Sequence, residues 1–250
     1  MPQAAYPNGL TGAKCNVLFS LLPAESSVGR PRKWSLREIP GGTFDVLRGG
    51  IAWRAMPHDL PPGQTIYHGH RIWRVRGVWE ALHTGLREVV RQREGRAATP
   101  SAAILDSPSV RTTGSGGPRG QGGGRKSAAP SVTCSSTPWD SSWRSRCTRH
   151  LWADAGYTGK LAGDIKADLS WTLEIIKHPW SGWQGTSTCR GGAQGFCRVK
   201  RRWVVERTFA WLGQSRRMAK DDEALVETAE NLVYEVMIRL TVCRPAKPSP

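Results

Sequence analysis

From Ile72 onward, apolar residues return at intervals of three and four: Ile72, Trp73, Val75, Val78, Trp79, Leu82, Leu86, Val89 and Val90. That spacing predicts an amphipathic helix running to about Arg91. A second such stripe, Leu225, Val226, Ala229, Leu232, Val233, Val236, Met237 and Leu240, predicts a helix over Glu223–Leu240. Shorter helices are expected in NVLFSLLP, ended by Pro23, and in TFDVLRGG, stopped by Gly49 and Gly50. GRPRKWSLREI reads as a basic turn entering a helical segment, MPHDLPPGQ (Met56 to Gln64) as a proline-rich loop, and REGRAATP as a linker to a second domain. Residues 1–95 therefore read as a small, mainly helical, basic N-terminal domain.

The pattern then changes. AAILD, LWADAGY and WTLEIIKH are short β-prone runs, and Trp203–Leu212 reads as helix. Strands alternating with helices predict an α/β domain over 96–245, a mixed sheet covered by helices. Between Gly114 and His150 the pattern fails. GSGGPRGQGGGRK is glycine-rich, and SAAPSVTCSSTPWDSSWRSRC has neither aliphatic alternation nor an apolar run. A structureless insert of about 35 residues between core strands is unusual in a compact domain.

Charge narrows the function. The 36 Lys+Arg against 20 Asp+Glu leave a net charge of +16, which favours a polyanionic partner; a coding bias toward arginine is the bland alternative. No apolar run reaches the length of about 18 residues that a membrane helix requires, and no secretory signal is evident. The cysteines at 15, 134, 147, 189, 197 and 243 form no C-x-x-C pair, so neither a disulfide scaffold nor a structural zinc site is expected, and a cytoplasmic setting is the expectation. Trp53, Trp73 and Trp79 read as core rather than as base-stacking platforms. His58, His68 and His70 lie close in sequence, with Asp59 as the one carboxylate at ligand spacing, and are not read as a metal site.

Three carboxylates stand out by position. Asp106 and Asp154 each close a short apolar strand, where sites form at the carboxyl edge of a sheet. Glu206 lies in RRWVVERTFAW, where helical period sets it beside Arg202, Phe209 and Ala210. Two readings stand. In the structural one, Glu206 pairs with Arg202 or Arg207 and the aspartates cap turns. In the catalytic one, the three hold two Mg²⁺ (or Mn²⁺) ions for in-line attack on a phosphodiester, since hard cations take oxygen ligands. Arg198, Lys200, Arg201, Arg202, Arg207, Arg216, Arg217 and Lys220 would then hold the DNA backbone.

Several blocks carry a family resemblance. YPNGLTGAKCNVLFSLLP, GRPRKWSLREI, FDVLRGGIAWRAMPHDLPPGQTIYHGHRIWRVRGVWE and ATPSAAILDSPSVRTTGSGGPRG resemble, in order and spacing, the N-terminal helical region and first catalytic strand of IS5-type insertion-sequence transposases. LWADAGYTGKL is similar to the second catalytic motif and RRWVVERTFAWLGQSRRMAKD to the third. The resemblance implies an RNase H-like fold and a DDE triad, with Asp106, Asp154 and Glu206 in the three positions as metal ligands. It also implies double-stranded DNA with terminal inverted repeats as partner, a homo-oligomer to hold two ends together, and a bacterial, nucleoid-associated protein.

The chain departs from that family in its middle. After GGPRG the family continues with tyrosine, aspartate and glycine, a basic run, then two aliphatic strands and a helix. Written in GC-rich codons and read two nucleotides further on, Ser131–Thr148 becomes GHLLVDTLGLLLAIAVH, which resembles those two strands. WSGWQGTSTCRGGAQGFC, from Trp180 to Cys197, is similarly out of pattern. Residues 121–150 thus read as out-of-frame text, with the central strands disrupted. Displacing a catalytic group by about 1 Å can cost a hundredfold in rate. Two functional expectations result: a transposase performing metal-dependent cleavage and strand transfer, or its catalytically inactive DNA-binding remnant.

Overall fold

The computed structural model describes residues 10–22, 33–100, 102–105, 150–154, 172–176 and 202–246. In chain order it holds α1 (Gly12–Phe19), α2 (Glu38–Gly49), α3 (Gly63–Val75), α4 (Val78–Arg93), β1 (Ala102–Leu105), β2 (His150–Asp154), β3 (Thr172–Ile176), α5 (Arg202–Gly213) and α6 (Val226–Thr241). Single 3-10 turns lie at Trp53–Ala55 and Arg216–Met218. The chain divides into two compact units. One gathers Met1–Ala98, Arg111–Pro118 and Trp211–Pro250; the other gathers Thr99–Val110 and Arg119–Ala210.

The first unit is helical, and α2 is its centre. Its sequence, EIPGGTFDVLRG, has weak intrinsic helix propensity, with a proline and three glycines. Pro40 is tolerated in the first turn, where a backbone N–H has no helical partner. Packing supplies the rest: Thr43, Phe44, Val46 and Leu47 are all buried. Gly50, in the left-handed region at φ 66°, closes the helix, and its N–H donates to the Val46 carbonyl at 2.8 Å.

Helix α3 packs on α2 through reciprocal small residues. A Cβ on Gly42 would lie 2.2 Å from Ile66 Cδ1, and one on Gly69 would lie 2.7 Å from Ile39 Cδ1. Each glycine is thus the seat of an isoleucine from the facing helix. Gly63, at the start of α3, is tighter still: a Cβ there would stand 1.7 Å from the Trp53 carbonyl oxygen, which is backbone.

The stripe expected as one helix from Ile72 to Arg91 is two helices. Gly77, at φ 67°, takes a left-handed conformation, and α4 starts directly after it. The apolar spacing continues across the break because both helices bury the same kind of face. Trp73 comes from α3; Trp79, Leu82, Leu86 and Val90 come from α4. The Trp73 and Trp79 rings lie 4.9 Å apart, as their core assignment requires.

Helix α6 completes this unit by packing on α4 and α2. The sequence pattern placed 211–245 in the second domain, but Trp211–Pro250 clusters with the N-terminal helices instead. The reason is area: the apolar stripe of α4 has a match in Leu232, Val236 and Ile238, all buried in the folded unit. The buried face is rotated from the one expected. Leu225, now the residue before the helix, is 55% exposed and Val226 is exposed, whereas Glu235 is fully buried. Arg74 donates from Nη1 to Thr228 Oγ1, Arg93 from Nη1 to the Pro245 carbonyl at 2.8 Å, and Arg244 lies 3.5 Å from Glu94.

In the second unit β1, β2 and β3 form one sheet in that order, parallel throughout. Any antiparallel member of the expected mixed sheet would fall in segments outside the described residues. Segments 106–149 and 155–171 separate successive strands, and both exceed the roughly dozen residues a parallel crossover needs. Trp152 stands opposite Glu174, and its Nε1 donates to that carboxylate at 2.8 Å. Of the segments expected to be disrupted, 121–150 and 180–197, all but His150, the first residue of β2, lie outside the described residues.

Gly63→Ala should cost at least about 2 kcal/mol, because its methyl group meets backbone that cannot rotate away. Urea denaturation followed by tryptophan emission will measure this, and Gly41→Ala, which meets nothing within 4 Å, should leave the midpoint within error or raise it.

Candidate carboxylate set and basic faces

The three carboxylates singled out by sequence are distributed as follows. β1 ends at Leu105, which is in register with Ala153; Asp154 is the last residue of β2 and is paired with Ile176 of β3. The two strands therefore run to their carboxyl ends side by side. Asp106 succeeds Leu105 and lies outside the described residues, as does the side chain of Asp154. Glu206 is exposed on α5, next to exposed Arg207, and both are engaged in interactions within the fold. The unit division falls inside α5, between Ala210 and Trp211.

The basic set is only partly in view. Arg198, Lys200 and Arg201 lie outside the described residues, as does the side chain of Arg202. Arg216 and Lys220 are exposed. Arg217 is half-buried and committed to Glu223: its Nε donates at 3.1 Å to Oε1, and a terminal amino group of the same guanidinium reaches the same oxygen. Its charge is offset locally, so it is less available to a phosphate than Arg216 and Lys220.

Sequence reading missed one polar site. His70 of α3 and Glu235 of α6 meet in the core, with side chains 3% and 0% exposed and Nε2 2.8 Å from Oε1. The approach is close, yet the two atoms miss the alignment of a regular hydrogen bond. Rings surround the histidine: Trp53, Tyr67 and Trp79 have centroids 5.2, 6.1 and 6.1 Å away. The Trp79 indole N–H donates to the His70 carbonyl at 3.2 Å. Burial pushes the Glu235 carboxyl above its ordinary value, against the lowering effect of His70. The signal in the sequence was a glutamate standing inside the Leu232–Val236 stripe.

His58 and His68 are exposed, away from the buried setting of His70. Among the described residues, no three His, Cys, Asp or Glu side chains gather in a group that could hold a metal. Nor is any described helix long and apolar enough to cross a membrane.

A family described as "Putative transposase of IS4/5 family" matches residues 10–83, from the turn before α1 into α4. A protein of Burkholderia cepacia, the "Insertion element IS402 uncharacterized 16.2 kDa protein", is 34% identical over 100 residues, covering 39% of this chain and 67% of that protein. No solved structure matches the chain at a significant level. These matches place the chain among insertion-element proteins. It belongs to the IS4/5 family of transposase-like proteins.

Replacing Glu235 gives a pH signature. The folded state holds the Glu235 proton more tightly than the unfolded chain does. Its contribution to stability is therefore complete below its ordinary value of 4.5 and is lost as pH rises through the folded value. The Tm advantage of Glu235→Gln over the native chain should grow from pH 4.5 toward neutrality. Parallel Tm-against-pH profiles of equal slope would refute this assignment.

Proposed function

We propose that the chain is a DNA-binding remnant of a DDE transposase. The observation that carries this reading is that the family model matches residues 10–83, which lie in the helical unit and not in the unit that holds the sheet. A net charge of +16 suits a duplex partner, through release of counterions from the phosphates. The second unit holds the chemical ancestry. Asp106, Asp154 and Glu206 stand in triad order, and β1 lies beside β2 and parallel to it, an order that suits two aspartates at neighbouring strand ends.

In the ancestral reaction, cleavage and strand transfer at insertion-sequence ends, these carboxylates would supply the oxygen donors that Mg²⁺ or Mn²⁺ requires. Two ions held by Asp106, Asp154 and Glu206 would supply Lewis-acid activation of a phosphodiester. The fit is one of donor chemistry and position: Asp154 closes a strand at the sheet's carboxyl edge, and Glu206 is exposed on α5. The out-of-frame character of 121–150 argues against a triad held to the tolerance that catalysis needs. Terminal inverted repeats and assembly of two copies belong to the same reading, as does residence in the bacterial cytoplasm on the nucleoid.

Purified protein should bind duplex DNA with affinity that falls steeply with salt, and should neither nick nor join strands carrying the element's ends in Mg²⁺ or Mn²⁺. Strand cleavage that disappears in Asp106→Ala would overturn the remnant reading and establish the active enzyme. Calorimetry with Mg²⁺ on the native chain and Glu206→Gln separates a retained metal site from a lost one.

A further inference from the structure

Helix α3 has two unlike faces. Ile66, Gly69, His70 and Trp73 point into the core, where Ile39, Glu235 and Trp79 meet them. Gln64, His68, Arg71 and Val75, spaced four, three and four apart, form the opposite stripe, and all four are exposed. Val75 is 71% exposed, and Tyr67, beside the stripe, is 46% exposed.

The charge on this helix is one-sided. Its sequence, GQTIYHGHRIWRV, has no acidic residue, whereas α2, α4, α5 and α6 each carry at least one. The acids nearest in sequence, Asp59 and Glu80, are already engaged within the fold. Exposed Arg54, on the 3-10 turn packed against α3, and exposed Arg76, at its end, flank the stripe.

Resting on the DNA-binding reading, we propose that α3 is the base-reading helix, its outward stripe entering the major groove of duplex DNA. That groove, about 12 Å wide, admits one α-helix. The residue types fit its edges: Arg71 can donate in pairs to guanine O6 and N7, Gln64 can pair with adenine N6 and N7, and Val75 meets a thymine methyl. Arg54 and Arg76 fall where phosphates flank the groove and fix register without reading sequence. On the opposite side, Ile66, His70 and Trp73 are buried and seat the helix in the core.

The test uses the full chain and fluorescence anisotropy. The probes are duplexes of about 40 base pairs, long enough for one groove-bound helix with its flanking phosphates. They tile the DNA on either side of the chain's own coding region, and a shuffled duplex of equal composition is the reference. The Gln64→Ala/Arg71→Ala double variant should lose about tenfold or more on the preferred duplex and keep its weaker binding to the shuffled one. Arg54→Ala/Arg76→Ala should weaken both alike and reduce the salt slope by roughly one for each phosphate no longer held. Unchanged circular dichroism and tryptophan emission show that each variant is folded. Equal losses on both duplexes, an unaltered preference, or native protein with no preference among the tiles would overturn the base-reading role and leave DNA binding standing. Native protein without affinity for any duplex removes the DNA-binding reading itself.

Discussion

Everything in the helical unit depends on α6 reaching back to the N-terminal helices. Without it, the stripe of Leu82, Leu86 and Val90 on α4 and part of α2 would lose the partner that covers them. Each such side chain, when buried, contributes about 1.5–3 kcal/mol. The same packing carries a cost, because it takes a glutamate to zero exposure. An ionised carboxylate there is expensive, and the protein answers with a histidine at 2.8 Å and with a raised carboxyl pKa that lets the group neutralise. A pair of this kind fixes register more than it adds stability. Only one rotation of α6 places Glu235 opposite His70 while Val236 and Ile238 stay dry.

On the remnant reading, this arrangement separates recognition from chemistry along the chain. The unit with the family match completes its core from residues on either side of the sheet-forming segment, and the carboxylates belong to another unit or to the helix that crosses the division. A frame disruption in 121–150 therefore falls on the chemical unit. The helical unit keeps its core, its basic faces and α3, so affinity for DNA would outlast the ability to cut it.

Much of the fold was legible because local physics dictates it. Gly50 ends α2 where a left-handed residue was needed, and the three strand segments lie where short apolar runs close on a polar residue. Gly77 was passed over because apolar spacing alone cannot detect a break between two helices that bury the same face. The rotation of α6 was hidden for a related reason: Leu225 and Val226 look like core by type, and Glu235 does not. Which unit α6 joins was not readable at all, since partner choice depends on matching surfaces more than 150 residues apart, as between Arg74 and Thr228. Of the candidate site, the strand-end position of Asp154 and the helical setting of Glu206 were readable. The commitment of Arg217 to Glu223 was not, because it depends on the local turn at Arg216–Met218.

The long reach from α3 to α6 also sets when the protein can fold. During synthesis the N-terminal helices leave the ribosome with their inner faces uncovered and wait for a partner encoded more than 150 residues later. Contacts of such separation form slowly, and the waiting chain offers apolar surface to chaperones and proteases. The helical unit can close only once α6 has been made.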